Sequence, residues 1–311
     1  MSRADFDNRA AHLMKSALEF PQAVAMRISQ RYNELNPIND TGRMTNVMKL
    51  GINTVLFKAF DVKTALKAIK LAGYDGAELS AIQGMCEHLV LDAWETQVPL
   101  VKAAAKEAGV ELLSMEVASL DEDRLEKAFK AAQYLGIPVV NVGPGGKMDD
   151  EETFKTSIET LTARAELAAK YGVKLCCKAH VGCAIYSTPT TLRAMELISS
   201  DSFGIDMDPS HIHRAGEKPE EALASVVSRM GHVHIRDCVG PGPNPGTPAN
   251  QACGRGEINL YGYFKALVDA GYEGPVCLEV IGPEQTMQQA QAIASESYGY
   301  MNAILKILNA R

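Results

Sequence analysis

Five glycines in this 311-residue chain each close an amphipathic segment and precede a short β-rich run. They are Gly73 (AGYDG), Gly109 (AGV), Gly136 (LGI), Gly172 (YGV) and Gly271 (AGYEG). Glycine adopts, at no steric cost, the left-handed conformation that ends a helix before a strand. The first four are 36, 27 and 36 residues apart, which fits one strand plus one helix per unit and not a solenoid repeat of fixed period.

The segments between the glycines support that reading. Leu125, Ala128, Phe129, Ala132 and Leu135 share one helical face, with Ser119 and Glu122 placed for a capping box. Phe154, Ile158, Leu161 and Ala165 form a second face, and Met301, Ile304, Leu305 and Leu308 a last one. Strand runs are expected at 48–54, 75–80, 111–117, 138–142, 173–180, 203–208, 231–236 and 275–280. Eight such runs alternating with eight helices predict a (β/α)8 TIM barrel over 48–311. The alternative is an open doubly wound sheet, which would gather its polar residues at one switch point. Here they sit at the ends of many strands. Residues 1–47 read as a helical N-terminal extension. Val24, Ile28, Tyr32 and Leu35 form its stripe, Pro21 breaks it, and Asn36–Gly42 is a linker.

Composition limits the partners. The net charge of −7 argues against nucleic acid, which needs a basic face. No apolar run is long enough to cross a membrane, and no secretory leader is evident. Seven cysteines without a Cys-x-x-Cys pair read as reduced, buried thiols of a cytoplasmic protein. The N-terminal arm suggests a homo-oligomer.

The chemistry gathers in the last four strand runs, within Lys178-Ala-His180, Asp208-Pro-Ser-His211, His232-Val-His234-Ile-Arg-Asp237 and Glu279. Five of the seven histidines fall between His180 and His234. Side chains at i and i+2 of a strand share a face. Lys178 therefore pairs with His180, Asp206 with Asp208, His232 with His234 and Arg236, and Cys277 with Glu279. With those faces inward, Lys178, Asp208, His234 and Glu279 converge at the top of the fifth to eighth strands. Glu78 and Glu116 face them from the second and third. Two carboxylates and an imidazole meeting at a point suit a divalent metal: manganese, cobalt, zinc or magnesium. Such an ion polarises a carbonyl and acidifies the neighbouring C–H for a carboxylate base.

The motifs GIDMDPSH, GHVHIRD, GRGEINLYGYFKAL and AGYEGPVCLE, in this order, resemble the sugar phosphate isomerase/epimerase superfamily, the xylose isomerase-like TIM barrels, over about residues 48–308. The resemblance implies an isomerase or epimerase acting on a small sugar-like polyhydroxy carbonyl compound, with a lyase or dehydratase of the inosose dehydratase type as the alternative. A sugar-binding protein without a metal is a further reading. The resemblance implies Asp208, His234 and Glu279 as metal ligands, favours manganese, and places His211 and Asp237 near substrate. It also calls for a glutamate as first ligand on the fifth strand, where this chain has Lys178.

Three roles for Lys178 stay open: an acid or base of lowered pKa, an ammonium replacing the metal, or a Schiff-base former. The expected catalytic set is Glu279, Lys178 and His180. His211, Asp237, Arg255 and Glu116 are expected to contact substrate. His232 reads as a core histidine and Arg236 as a partner of Asp206. Gly143–Lys147 reads as a flexible loop, Pro241–Pro248 as a lid or collar, and Trp94 as packing.

Overall fold

The computed structural model describes residues 47–311. The extension expected over 1–47 therefore lies outside the described residues, apart from Val47. Among the described residues nine strands form: β1 (Leu50–Asn53), β2 (Gly76–Ile82), β3 (Cys86–Glu87), β4 (Glu111–Glu116), β5 (Val139–Val142), β6 (Lys174–Lys178), β7 (Phe203–Asp206), β8 (Met230–Ile235) and β9 (Val276–Leu278). All but β3 run parallel in the order β1-β9-β8-β7-β6-β5-β4-β2, and β1 pairs with β2 to close the ring. This is the expected eight-stranded barrel. The short β3 folds back antiparallel on the end of β2 and was not expected from the sequence.

Helices fill the connections: α1 (Val62–Ala72), α2 (Trp94–Ala108), α3 (Glu122–Leu135), α4 (Glu151–Ala169), α5 (Thr188–Leu197), α6 (Pro209–Arg214), α7 (Pro219–Val226), α8 (Leu260–Asp269) and α9 (Met287–Ile307). Gly73, Gly109 and Gly136 end α1, α2 and α3 at φ of 107°, 66° and 76°, as the sequence pattern requires. The capping box expected from Ser119 gives way to Asp121. Its carboxylate accepts from the Arg124 N–H, while Ser119 Oγ accepts only from the Asp121 N–H. An ionised N-cap also complements the helix dipole, which a hydroxyl does not. No helix among the described residues is long and apolar enough to cross a membrane.

The barrel floor is packed around glycines. A β-carbon on Gly76 would lie 2.5 Å from Leu113 Cγ, and one on Gly51 2.6 Å from Cys277 Sγ. On the other wall, Gly204 and Gly231 make room for Cys176 and the stem of Lys174. Two register shifts sit among these residues. The partner of β2 jumps from Leu112 to Ser114 between Ala77 and Glu78, and the partner of β7 jumps from Met230 to His232 between Ile205 and Asp206. A bulge re-aims the side chains that follow it. Glu78 and Asp206, the residues just past the shifts, both carry carboxylates into the interior.

Candidate active site

The upper half of the barrel holds a closed network of buried charges. Glu78, Asp206, Asp208, His232 and His234 are all inaccessible to solvent, and Glu116, Lys178, Arg236 and Glu279 nearly so. Burying this many charges is costly unless each finds a partner. The partners divide into two layers.

The deeper layer is centred on His234. One of its ring nitrogens contacts Glu78 Oε2 and the other faces Asp206. His232 lies edge-on to it, with Nδ1 3.0 Å from Asp206 Oδ1 and Nε2 2.9 Å from Ser114 Oγ. Burial alone would lower the His234 pKa, but the charges of Asp206 and Glu78 outweigh it and hold the ring as an imidazolium. Asp206 in turn is kept well below the usual carboxylate range by His234 and His232 despite its burial. Glu78 also accepts from Asn53 (2.8 Å), Asn141 (2.6 Å) and Ser114 (3.1 Å). Asn53 and Asn141 were not singled out in the sequence. Both are lone amides within apolar runs, LGIN and VVNV, and that was the available signal.

The outer layer is a bridge. Lys178 Nζ donates to Glu116 Oε1 at 3.1 Å and to Glu279 Oε1 at 2.9 Å. Arg236 Nη1 lies 3.1 Å from the other oxygen of Glu279, and its Nη2 donates to Asp208 Oδ2 at 3.1 Å. The partnership expected between Arg236 and Asp206 is not formed, because Asp206 is already held by the two histidines. Burial and the charge of Glu279 push Glu116 up to about 7, against the pull of Lys178. Burial would raise Glu279 as well, but Lys178, Arg236 and His234 bring it below the ordinary carboxylate value. Lys178 is raised, since the charges of Glu116 and Glu279 outweigh its desolvation. A base of lowered pKa is the opposite of this arrangement.

The remaining expected residues fall at varying distance from the bridge. His211 stacks on His180 with ring centroids 4.1 Å apart. Burial and the charges of Arg236, His180 and Arg214 keep His211 neutral, and its ring nitrogens lie 2.9 Å from Arg214 and Arg236 nitrogens. His180 is partly exposed, with Nδ1 3.0 Å from the Val181 carbonyl oxygen. Asp208 caps α6 by accepting from the Ser210 N–H at 2.8 Å. Asp237 does not reach the bridge with a free oxygen. Its carboxylate accepts from the backbone N–H groups of Cys238, Gly254 and Ile258 and so ties both ends of the Pro/Gly loop. Arg255 is half exposed and makes a two-pronged pair with Glu296 on α9, both bonds 2.7 Å long.

Among the described residues, two buried groups are spaced to hold a metal ion: Glu78 with His232 and His234, and Glu116 with His234 and Glu279. Within each, the ligand atoms lie within 4.8 Å of one another. Asp208, which the resemblance implies as a ligand, is in neither group; its oxygens accept from Arg236 and from the Ser210 N–H at the start of α6.

This barrel, with its acids and histidines at the strand ends, matches the pattern of the xylose isomerase-like TIM barrels over residues 66–303. The chain belongs to that family. Among solved structures of the xylose isomerase-like fold, a D-tagatose 3-epimerase-like protein superposes with a TM-score of 0.68 at 20% identity, covering 84% of this chain and 98% of that one. The IOLI protein with a bound zinc atom superposes at 0.69 and 21% identity, covering 83% and 99%. An inosose isomerase of Halalkalibacterium halodurans is 25% identical over 232 residues, covering 70% of this chain and 82% of the relative. An inosose dehydratase of Clostridium perfringens is 29% identical over 144 residues, which spans about half of that relative's length (48%).

Proposed function

We propose that the protein is an isomerase or epimerase of a small polyhydroxy ketone, with keto-inositols and ketohexoses as the substrate class. The observation that carries this reading is the Glu116–Lys178–Glu279 bridge. Two carboxylates share one ammonium, yet their environments drive their pKa values apart. Such a split is the mark of an acid/base pair. Glu279, fully ionised at neutral pH, takes the proton from the carbon beside the substrate carbonyl. Glu116, with a pKa of about 7, holds or returns a proton near neutral pH, where general acid–base catalysis is most efficient. The Lys178 ammonium and Arg236 guanidinium stabilise the negative charge that develops on the carbonyl oxygen. The fixed imidazolium of His234 keeps the floor positive.

The family implies a divalent ion, and Glu116, His234 and Glu279 are spaced for one, with His234 able to ligate only on losing the proton that Glu78 and Asp206 hold on its ring. Two carboxylates and one imidazole accept zinc, manganese, cobalt or magnesium. These three residues would hold it, and when bound it would polarise the substrate carbonyl.

The reading is tested by incubating the protein with inososes and ketohexoses in D2O and following the reaction by NMR. Deuterium should enter at the carbon next to the carbonyl, and a second isomer should accumulate. A panel without exchange or turnover would sink the proposal. A dehydratase is the second reading, because one ionised and one protonatable carboxylate also suit loss of water. It is recognised by an absorbing enone or diketone product in place of an isomer.

A further inference from the structure

The Glu116–Glu279 pair is claimed twice. Both residues belong to a group spaced for a divalent ion, and both already bind the same ammonium. Lys178 is nearly inaccessible, as are the two carboxylates, so solvent does little to screen a second cation placed among them. The other members of the network are similarly engaged. Arg236 Nη1 lies 3.1 Å from the second oxygen of Glu279 without hydrogen-bond geometry, its Nη2 donates to one oxygen of Asp208, and Glu78 holds a ring nitrogen of His234.

The ion pairs close without an added ion: Lys178 faces Glu116 and Glu279, and Arg236 faces Asp208 and Glu279. A dication added to this set meets like charge on two sides.

We infer that Lys178 is the resident cation of the Glu116–Glu279 pair and competes directly with any divalent ion for it. The inference rests on reading this bridge as the reactive centre. Ligand-type residues spaced for an ion surround the bridge, while a lysine stands among them and supplies a positive charge there. Uptake of an ion then requires the ammonium to leave both carboxylates. Losing two charge-assisted hydrogen bonds and stripping water from a dication beside a buried cation sets a steep penalty. Removing the lysine charge removes that penalty, and a glutamate at the same position adds a ligand.

The test is metal uptake, measured apart from turnover. Full-length wild type, Lys178→Gln and Lys178→Glu are stripped with chelator and titrated with Mn2+ and with Zn2+ by calorimetry. Bound metal is also counted by elemental analysis, and thermal midpoints are recorded with and without ion. Circular dichroism identifies the variants that fold. Lys178→Gln keeps the neutral packing and serves if the added carboxylate of Lys178→Glu prevents folding. The expected result is affinity at least about 100-fold higher in a folded variant than in wild type, with a thermal midpoint that rises on adding ion only in the variant. Wild type binding one ion as tightly as folded Lys178→Gln would overturn the inference, as would folded variants that bind no more ion than wild type. Neither failure bears on whether the protein exchanges substrate protons in D2O.

Discussion

At the residue scale, the informative group is Glu116. Lys178, Glu279, His234, Glu78 and the Asn53 amide all face it, and the balance leaves its pKa at about 7 against an ordinary 4.5. A carboxyl raised in the folded state binds its proton more tightly there than when unfolded. The Glu116 contribution to stability should therefore fall as pH rises from about 4.5 to about 7, by up to roughly 1 kcal/mol per unit. Glu279 and His211, lowered in the folded state, contribute stability that rises through the lower part of the same window. Glu116→Gln should remove the falling contribution alone, read as a pH-dependent difference between the wild-type and variant curves in urea denaturation; a difference constant with pH would remove Glu116 as its cause. For turnover, Glu279→Gln should lower kcat by about 100-fold or more, with circular dichroism unchanged, once a substrate is in hand. The sequence placed Lys178, His234 and Glu279 in one chamber because the two-residue period of a strand fixes which side chains share a face. It did not reveal who pairs with whom. Arg236 reaches Asp208 and Glu279 because the histidines have taken Asp206, and that outcome depends on a register shift no local pattern announces.

At the scale of elements, the strands were legible to within a few residues, helped by glycines that end α1, α2 and α3 or follow shortly after α4 and α8. Bulges were not. Leu113 is the extra residue where β4 slips against β2, and its side chain fills the space above Gly51 and Gly76. A β-carbon at Gly76 would also come within 2.7 Å of the Glu111 carbonyl oxygen, a backbone atom that does not move aside cheaply. Gly76→Ala should therefore destabilise by about 1–3 kcal/mol, seen as a lower urea midpoint with an unchanged m-value. Gly136→Ala tests a different cause. No neighbour lies within 4 Å of the added carbon, so its cost of about 1 kcal/mol would come from the positive φ alone. Equal effects from the two substitutions would show that the floor is less tightly packed than described.

At the scale of the whole molecule, closure of the ring joins the two ends of the described chain. Asp75 accepts from the Leu50 N–H and from Arg311, which also donates to the Met48 carbonyl and stacks near Tyr298. Arg311→Ala should lower stability by about 1–2 kcal/mol, measured by denaturation, with little change in metal uptake or turnover at the far end of the barrel. A loss of turnover at full stability would contradict that separation. The eightfold alternation was visible in the sequence because every unit repeats the same physical solution. This latch was not, since it pairs residues more than 200 positions apart.

Asp237 carries a consequence of another kind. Three backbone N–H groups converge on its carboxylate from both feet of the loop, and Gly256 leaves no room for a side chain, with 2.2 Å from a β-carbon to Asp237 Oδ1. The span between the feet is thereby insulated from the strand that bears His234. Its crown, from Val239 to Pro248, meets the site through Arg214, which donates to the Pro243 carbonyl oxygen at 2.8 Å, so changes that keep this contact leave the chemistry beneath in place. Related barrels with different appetites would then differ most in this arch, and exchanging the arch between them, feet and aspartate retained, becomes a route to redirecting what the same bridge of charges works upon.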